Sequence, residues 1–489
     1  MKSRTKRKPA KHKAGHRRKP HHAGKGKKRR HRLHLPPKRS RPTGPTTPRS
    51  LLTEPMVDRL FWRAGFGPTA QDRATWTGKP LSAAVNWLLS TPAGLSGVPA
   101  TNGGKPLDPT GDDTDLVLSW IDRMVRSTNP FVERLTFFWH RHWANSRDQV
   151  SPPQLLITQN NLFRRYADFS ANPTANFRKM AGDVTVDPSM LRYLTGEYNV
   201  KGAPNENYAR ELMELFTLGV HDASGRANYS QGDVEQLAKA LSGWEINDDN
   251  PDAVTSYFTQ SRWYNGPKMV FGQFGNFTST DAVNLVLSRP AHPAFLITQL
   301  WNEFVGGAPN AATLSRLSST YESSGLQLKP LLNAILTHSA LFASLGEPNL
   351  IKPPVVYVVG AMRALGKSIT DDTAATYLDG MGQLPYFPPN VSGWEGGLSW
   401  LNTNTALARF SFASALLGGM TIPDVPGETP PAAYDRAFAA AGRPWLAAGT
   451  QSALRSFAQT APSAGVSQRR QRQLALRALM LAGPDAQVM

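Results

Sequence analysis

The sequence predicts a mainly α-helical protein: a large multi-helix globular domain with minor β-hairpin content, preceded by a disordered basic tail. Apolar residues recur at helical spacing in many segments, as at Leu116, Trp120 and Met124. Alternating strand patterns are scarce. The chain has 489 residues, of which 40% are hydrophobic, and is therefore long enough to bury a sizeable core.

Residues 1–50 differ from the rest of the chain in charge. They contain 20 of the 55 Lys and Arg residues and none of the 36 Asp and Glu residues, so the remainder is close to neutral. High charge and few apolar residues predict a disordered polycationic tail. Such a tail binds polyanions by counterion release, and the candidates are nucleic acid, anionic lipid and anionic wall polymer. The alternative is a tail that only keeps the protein soluble.

Several kinds of chemistry are excluded or disfavoured by what the sequence lacks. Without cysteine, disulfides, thiolate metal sites and cysteine nucleophiles are excluded. No apolar run approaches the ~18 residues that span a bilayer, and no apolar segment typical of a signal peptide is visible. The absence of Walker, GxSxG, HExxH, EF-hand and strand-linked GxGxxG motifs argues against nucleotide-dependent and standard hydrolase mechanisms. The sequence identifies no cofactor or metal.

The first half of the ordered region, expected from Pro55 onward, is predicted to contain several helices. A helix over 57–64 is ended by the Gly65-Phe66-Gly67-Pro68 run. Further helices are predicted over 81–89, around 116–124 and over 131–143, where Pro130 suits a first helical turn. The Gly/Pro/Asp-rich stretch 98–114 is predicted to be a loop.

The second half is predicted to contain helices over 234–241, 328–336 and 355–365. Ser230 and Asp233 form a pattern close to a capping box before the first of these. Residues 255–263 and 268–271 are predicted to form a hairpin around Asn265-Gly266. We expect a main body over 55–420, followed over 421–489 by a Pro-rich linker and a C-terminal helical extension that packs on the body.

The segment 205–220 is the most informative feature of the chain, because a helix would divide it into two chemically distinct faces. The apolar face contains Tyr208, Ala209, Leu212, Met213, Leu215 and Phe216. The polar face contains Glu206, Asn207, Arg210, Glu211 and Glu214.

That polar face is a candidate catalytic site. Glu211 and Glu214 are three residues apart, so the two carboxylates can serve as acid and base or coordinate a hard cation. Arg210 can position an anionic group, and its charge argues partly against a metal. Asn207 lies below Glu211 on the helix and is a candidate binding residue. The alternative is a solvated face on which each ion pair stabilises the helix by roughly 0.2–0.5 kcal/mol.

His140 and His142 are further candidates for an assisting role in catalysis. They are two residues apart, so a regular helix directs them to nearly opposite sides and cannot bring both to one metal. The alternative is a pair of histidines satisfied by hydrogen bonds in the core. Asp148, in the charged segment that follows, is a candidate binding residue.

A rigid loop over 387–397 contains two prolines, three glycines and Trp394, and Trp400 follows it. An aromatic-lined loop of this kind suits stacking against sugars or peptides. The alternative is a structural loop whose tryptophans fill the core.

Taken together, these segments resemble the bacterial domain-of-unknown-function family 1800. The resemblance rests on residues 59–69, 138–143, 187–191, 205–220, 233–244 and 388–394, and it extends from about residue 55 to the C-terminus. Asp187 lies in one of these motifs and is a candidate binding residue. Where the family commonly has His-Asp-x-Gly-x-Lys, this chain has Trp263-Tyr264-Asn265-Gly266-Pro267-Lys268, so Lys268 remains and the titratable pair does not.

The resemblance implies a mainly α-helical bacterial protein, often exported and often encoded beside a sulfatase-like partner. The leading hypothesis is an envelope-associated protein that binds a polymer or a partner protein and uses its tail to bind a polyanion. One alternative is a hydrolase or lyase that acts on glycans through Glu211 and Glu214. Another is a nucleic-acid-associated protein, and a cytoplasmic location would fit the missing signal peptide. The sequence leaves open whether the protein is an enzyme.

Overall fold

The computed structural model describes residues 50–250 and 253–489. Within them the chain forms twenty α-helices and three small two-stranded antiparallel sheets, which confirms the prediction of a mainly α-helical protein. Apart from Ser50, the predicted tail lies outside the described residues.

The α-helices of the first half are α1 Glu54–Arg63, α2 Ala70–Trp76, α3 Leu81–Ser90, α4 Asp113–Arg126, α5 Pro130–His142, α6 Pro153–Ala167, α7 Phe177–Thr185, α8 Pro188–Tyr193, α9 Asn207–Glu211 and α10 Gln231–Ala240. Those of the second half are α11 Ser279–Leu287, α12 Ala291–Phe304, α13 Ala311–Ser323, α14 Leu328–Leu336, α15 Pro354–Leu365, α16 Thr373–Gly380, α17 Thr403–Leu417, α18 Pro430–Ala440, α19 Ala448–Thr460 and α20 Val466–Ala482. The strands are β1 Thr101–Asn102, β2 Lys105–Pro106, β3 Trp244–Asn247, β4 Thr255–Phe258, β5 Lys268–Val270 and β6 Gln273–Gly275.

Local capping chemistry explains where several helices begin. The capping box predicted at Ser230 and Asp233 is present: the Ser230 hydroxyl accepts the Asp233 backbone N–H, and the Asp233 carboxylate accepts the Ser230 N–H at 2.9 Å. The same reciprocal arrangement opens α2 and α11. Pro130 occupies the first turn of α5, as predicted, where its missing N–H costs nothing.

Predicted helices with a strong apolar period lie close to observed ones. The helix predicted over 328–336 coincides with α14, and that predicted over 81–89 is one residue shorter than α3. The helix predicted over 57–64 begins earlier in the structure, at Glu54, because Pro55 fits its first turn.

The hairpin predicted around Asn265-Gly266 is wrong. Strand β4 pairs with β3, which precedes it, and β5 pairs with β6, which follows it. The β5–β6 turn consists of Phe271 and Gly272, with φ of 51° and 75°. Positive φ at both positions is the type I′ geometry that matches strand twist. The Phe271 N–H also donates to the Asp233 carboxylate at 2.6 Å, so a tertiary contact supports the turn.

Helix α5 lies at the centre of the molecule, and every residue from Pro130 to His140 is buried. Its buried Glu133 accepts hydrogen bonds from Arg123 at 2.8 Å and from Arg164 at 2.7 Å, which links α4, α5 and α6. Its buried Arg134 forms an ion pair with Glu303 of α12. Because breaking a buried pair leaves an uncompensated charge, these contacts fix the position of α5 among its neighbours.

The described residues from 50 onward belong to one compact unit. Helix α20 packs against α17 and α18. The buried Lys352 ammonium donates to the Ala486 carbonyl at 2.7 Å, and the Arg409 guanidinium donates to the Gln487 side chain at 2.9 Å. These bonds attach the C-terminal segment to the body, while a domain division near residue 420 stays a prediction. None of the helices described is long and apolar enough to cross a membrane.

Candidate functional site

The segment 205–220 is helical, but it is not one regular α-helix. Helix α9 covers Asn207–Glu211 and continues directly into a π-helical segment, Leu212–Thr217. The Leu218 N–H donates to the Met213 carbonyl at 3.0 Å, five residues back. The predicted division of faces nevertheless holds: the residues on the apolar side are buried, except for the half-buried Leu215, and those on the polar side are half-buried or exposed.

Two residues of the polar face are paired with each other. The Arg210 guanidinium donates to Glu206 at 2.9 Å and to the Gln231 side-chain oxygen at 2.8 Å. The Gln231 amide donates in turn to the same Glu206 oxygen at 2.9 Å. This closed set of bonds, formed with α10, leaves Arg210 and Glu206 less available for a ligand. Asn207 is exposed, and its amide donates to the Thr195 hydroxyl at 3.0 Å.

Glu214 has a phenol as its partner. The Tyr229 hydroxyl donates to the Glu214 carboxylate at 3.0 Å. Burial, followed by this bond and the Glu214 charge, raises the pKa of Tyr229 to about 12. The phenol therefore stays protonated and acts as a fixed donor to Glu214.

Glu211 is the unusual carboxylate of the face. It is half-buried and, among the described residues, it has no hydrogen-bond or ion-pair partner. Burial raises the pKa of Glu211, the neighbouring Glu214 charge raises it further, and Arg210 opposes the change. A carboxyl group with a raised pKa and no structural partner is suited to proton transfer.

The charges of Glu211 and Asp148 both act on Tyr193, which lies on a third segment. The pKa of the buried Tyr193 phenol, at the end of α8, is raised first by burial and then by the charges of Glu211 and Asp148. Both carboxylates therefore lie within electrostatic reach of this one phenol. Asp148 is exposed, and the Ser146 hydroxyl donates to it at 3.3 Å. We call Asp148, Tyr193, Glu211 and Glu214, which are linked by these charge effects, the acidic centre.

His140 and His142 both bond to the backbone. The buried His140 accepts the Tyr386 N–H at 3.1 Å through Nε2, and burial lowers its pKa to about 3. The half-buried His142 donates from Nε2 to the Phe216 carbonyl at 2.9 Å. Burial lowers the pKa of His142 to about 3 although this bond opposes the change. Both rings are neutral near pH 7, and an assisting role for them in catalysis stays a prediction.

Asp187 is a buried helix cap. Its Oδ1 accepts the Met190 N–H at 3.1 Å and the Gln159 side-chain amide at 3.0 Å. Burial raises its pKa to about 7, and these two bonds oppose the change. Asp187 fixes the start of α8, the helix that carries Tyr193 at its other end.

Trp394 of the loop over 387–397 and Trp400, which follows the loop, both lie in the protein interior. Trp394 and Trp400 are each only 5% exposed, and Trp394 packs on Phe137 and His140 with ring centroids 6.0 and 5.7 Å apart. Gly393 has φ of 76°, and a Cβ there would lie 2.7 Å from the Arg141 carbonyl oxygen. Only glycine therefore allows the loop to pack this closely on α5. Neither ring offers an open stacking face.

Lys268 is buried at the start of β5. Its ammonium donates to Asn276 at 2.8 Å and lies 4.4 Å from the Trp263 ring centroid. Burial lowers its pKa to about 8. The Trp263 ring therefore contacts this lysine directly through a cation–π interaction.

Sequence reasoning missed several residues around the polar face: Tyr193, Gln231, Tyr229 and His292. The buried His292 donates from Nδ1 to the Thr217 carbonyl at 3.1 Å, next to the carbonyl that His142 binds. These residues belong to no motif that the sequence analysis used, and they lie far apart in the chain. The described residues contain no group of three His, Cys, Asp or Glu side chains that could hold a metal ion.

Five surface cavities of the described part of the chain have volumes between 140 and 920 Å³, and the predicted site residues line none of them. The acidic centre combines the half-buried Glu211 and Glu214 and the exposed Asp148 with the buried Tyr193, and none of these residues lines the five cavities.

The helical fold and this acidic centre define a large α-helical protein without a recognised cofactor motif. The sequence profile of the family described as "Protein of unknown function (DUF1800)" matches residues 59–488, so the chain belongs to that family. Searches of curated proteins and of solved structures returned no match.

Proposed function

We propose that this protein is an envelope-associated polymer-binding protein of bacteria. Its basic tail binds a polyanion, and its helical body recognises a polymer or a partner protein. The observation that carries the proposal is the separation of charge along the chain: 20 cations and no carboxylates in residues 1–50, against 35 basic and 36 acidic residues in the remainder.

The physical basis of tail binding is counterion release. Each cation that neutralises a phosphate or sulfate releases condensed ions, and for duplex DNA log K falls with log salt by about 0.9 per contact. The tail contains no Phe, Tyr or Trp residue to serve as a stacking platform for bases. Binding should therefore be strong at low salt, weak at high salt and independent of nucleotide sequence.

The test compares the full chain with a chain lacking residues 1–50 on duplex DNA, on vesicles containing anionic lipid and on a teichoic acid polymer. We expect the truncated chain to keep its helical circular dichroism and to lose salt-sensitive binding to all three. A full-length variant with the tail Lys and Arg changed to Gln is the matched control, and it should behave like the truncation. Equal binding by the truncated chain would contradict the proposal.

Fractionation of cells addresses the location and the nucleic-acid alternative. We expect the protein in the envelope fraction, where a sulfatase-like partner can be sought by cross-linking and co-purification. Recovery with the nucleoid, abolished by nuclease, would favour association with nucleic acid instead.

A specific observation favours a second function, acid–base chemistry on a glycan. Glu211 has a raised pKa and no hydrogen-bond or ion-pair partner in the part of the chain that the structure describes, and the charges of Glu211 and Asp148 both reach Tyr193. In a hydrolase or lyase, Glu211 would transfer the proton, and Glu214 or Asp148 would supply the second carboxylate. Arg210 would assist by orienting an anionic group of the substrate.

The second function is tested with Glu211→Gln and the control Glu322→Gln, at an exposed position of α13 outside the polar face. Both variants are assayed for new reducing ends or unsaturated products on a panel of glycans. Glu211→Gln should abolish turnover and slightly raise the unfolding temperature at pH 7, because a carboxyl whose pKa is raised by folding destabilises the folded protein above that pKa. Glu322→Gln should retain turnover. An inactive Glu211→Gln variant with a lower unfolding temperature would indicate a structural role instead.

A further inference from the structure

A second surface feature lies apart from the acidic centre. It is a cleft of about 600 Å³ formed by α2, α3, the end of α4 and the end of α15, which we call the tryptophan cleft. Its volume falls within the range of ~300–1,000 Å³ that is typical of small-molecule sites. No residue of the sequence-predicted site lines it.

Two tryptophans form an aromatic wall of this cleft. The rings of Trp76 and Trp87 are 5.6 Å apart between centroids and tilted by 51°. Both are half-buried, and neither indole N–H is fully enclosed or has a hydrogen-bond partner among the described residues. Trp87 also packs on the buried Phe61, with centroids 6.2 Å apart, which holds the wall in place. The wall therefore combines a rigid apolar surface with free donors.

Hydroxyl and amide groups surround the aromatic wall. Gln71 and Thr75 lie on the exposed face of α2, and the Gln71 amide donates to the Thr75 hydroxyl at 3.0 Å. Ser96, Thr128 and Ser368 line the remaining rim and are exposed. Such groups can donate and accept hydrogen bonds with an alcohol-rich ligand.

The charge of the cleft is positive. Arg126 is paired with Asp122 at 2.9 Å. Among the described residues, the half-buried Lys367 has no ion-pair or hydrogen-bond partner for its ammonium. Arg363 donates only to backbone carbonyls, as at Val125 O, 2.8 Å away, and has no ion-pair partner within the described chain. The single lining carboxylate is Asp72, which caps its own helix.

We propose that the tryptophan cleft binds an acidic sugar residue, a uronate within a polysaccharide. The apolar face of the sugar ring packs on Trp76 and Trp87, the rim residues bond its hydroxyls, and Lys367 pairs with its carboxylate. This inference rests on the proposed function in one respect, because it names the polymer that the body recognises. A neutral sugar would leave Lys367 without a partner, and a lipid chain would find the polar rim unfavourable.

The test uses the full chain and trigalacturonic acid in isothermal titration calorimetry. A salt concentration of about 0.3 M suppresses binding of this short ligand to the tail. Lys367→Gln should weaken binding about tenfold, as expected for one charge-assisted contact. Lys329→Gln, a half-buried lysine of α14 outside the cleft, is the matched control and should not change affinity. Trp76→Ala should abolish binding, and Trp445→Ala, another half-buried tryptophan, should not.

Three results would overturn the proposal. The first is unchanged affinity of Lys367→Gln for trigalacturonic acid, and the second is equal binding of neutral maltotriose. The third is displacement of trigalacturonic acid by a short oligothymidylate whose own binding is weakened by Trp76→Ala. That third result would identify the cleft as a nucleic-acid site. Trp76→Phe keeps an aromatic ring, so it separates loss of the stacking surface from loss of the fold. Binding of the Lys367→Gln variant to duplex DNA at low salt measures the tail alone. This measurement therefore distinguishes failure of the cleft proposal from failure of the tail-binding proposal.

Discussion

Asp187 shows how burial changes the chemistry of a single residue in this protein. Its carboxyl caps α8 and accepts two hydrogen bonds, yet burial raises its pKa from 3.8 to about 7. Between these two values the folded protein binds a proton that the unfolded chain has released. The free energy of unfolding contributed by this group therefore decreases as pH rises from about 4 to 7.

Asp187→Asn should accordingly stabilise the protein at pH 8. Asparagine is as good a helix N-cap as aspartate, and its side-chain oxygen can accept the same bonds from Met190 and Gln159. We expect a gain on the order of 2 kcal/mol at pH 8 and little change near pH 4. Urea denaturation at the two pH values measures it. Asp112→Asn, at the exposed N-cap of α4, is the control, and a variant no more stable than the wild type at pH 8 would contradict the argument.

At the scale of secondary-structure elements, the π-helical segment is the feature that most needs tertiary support. Widening the helix leaves carbonyl groups near its end without partners inside the helix. The Phe216 carbonyl accepts from His142, and the next carbonyl, of Thr217, accepts from His292. The His292 ring then accepts the Tyr321 hydroxyl at 3.1 Å through Nε2, which fixes its orientation. Two histidines from α5 and α12 thus cap this segment.

His142→Phe should destabilise the protein, because it retains an aromatic ring while leaving the Phe216 carbonyl without a donor. We expect a loss of about 1–3 kcal/mol, the cost of an unsatisfied buried polar group. His142→Gln keeps an N–H donor and should lose less. Denaturant unfolding and hydrogen exchange at residues 217–219 measure the difference. His221→Phe, at an exposed position, is the control. Equal stability of the Phe and Gln variants would rule out the capping role.

The apolar period of the sequence was sufficient to predict helices such as α3 and α14, whose buried faces are set by local spacing. It could not predict the π-helical hydrogen bonds of Leu212–Thr217, because these depend on His142 and His292, far away in the chain. The Asn265-Gly266 pair was a misleading turn signal. The turn at Phe271-Gly272 formed instead, with a bond to Asp233 that no local pattern reveals.

For the candidate site, the two faces of the 205–220 segment were predictable from residue type and spacing. The convergence of Asp148 and Glu211 on Tyr193 was not, because three separate elements carry these residues. The stacking role predicted for Trp394 stays a prediction, and its ring is buried against α5. The half-buried aromatic pair was not predicted either: Trp87 lies in the helix predicted over 81–89, and no helix was predicted at Trp76.

At the scale of the whole molecule, a near-neutral body contains several titratable side chains that are held uncharged. His140, His142 and His292 have pKa values lowered to about 3, 3 and 4, in each case mainly by burial. All three lie close to α5 or to the π-helical segment, where their neutral rings bond backbone groups or pack on aromatic residues. The centre of the fold therefore depends on histidines that remain unprotonated.

This arrangement predicts that the body loses stability in mild acid. A histidine with a lowered folded-state pKa stays neutral in the fold, while the unfolded chain takes up a proton below pH 6.5. Each such group therefore lowers the free energy of unfolding by about 1.4 kcal/mol per pH unit from roughly pH 6 to 4.5. Carboxyl groups whose pKa is raised by folding, such as Asp187, instead increase the free energy of unfolding as pH falls. They therefore reduce the net dependence of stability on pH.

His142→Gln isolates the contribution of one ring, because glutamine keeps an N–H donor and cannot titrate. Urea midpoints at pH 7, 6, 5 and 4.5 should show a slope for this variant that is smaller than that of the wild type by about 1.4 kcal/mol per pH unit. His221→Gln, which removes an exposed histidine, should leave the slope close to that of the wild type. If His142→Gln had the wild-type slope, folding would not lower the pKa of His142, and the folded protein would take up this proton over the same pH range as the unfolded chain. The His142 bond to the Phe216 carbonyl would then persist through the charged ring, and the support of the π-helical segment would not depend on pH.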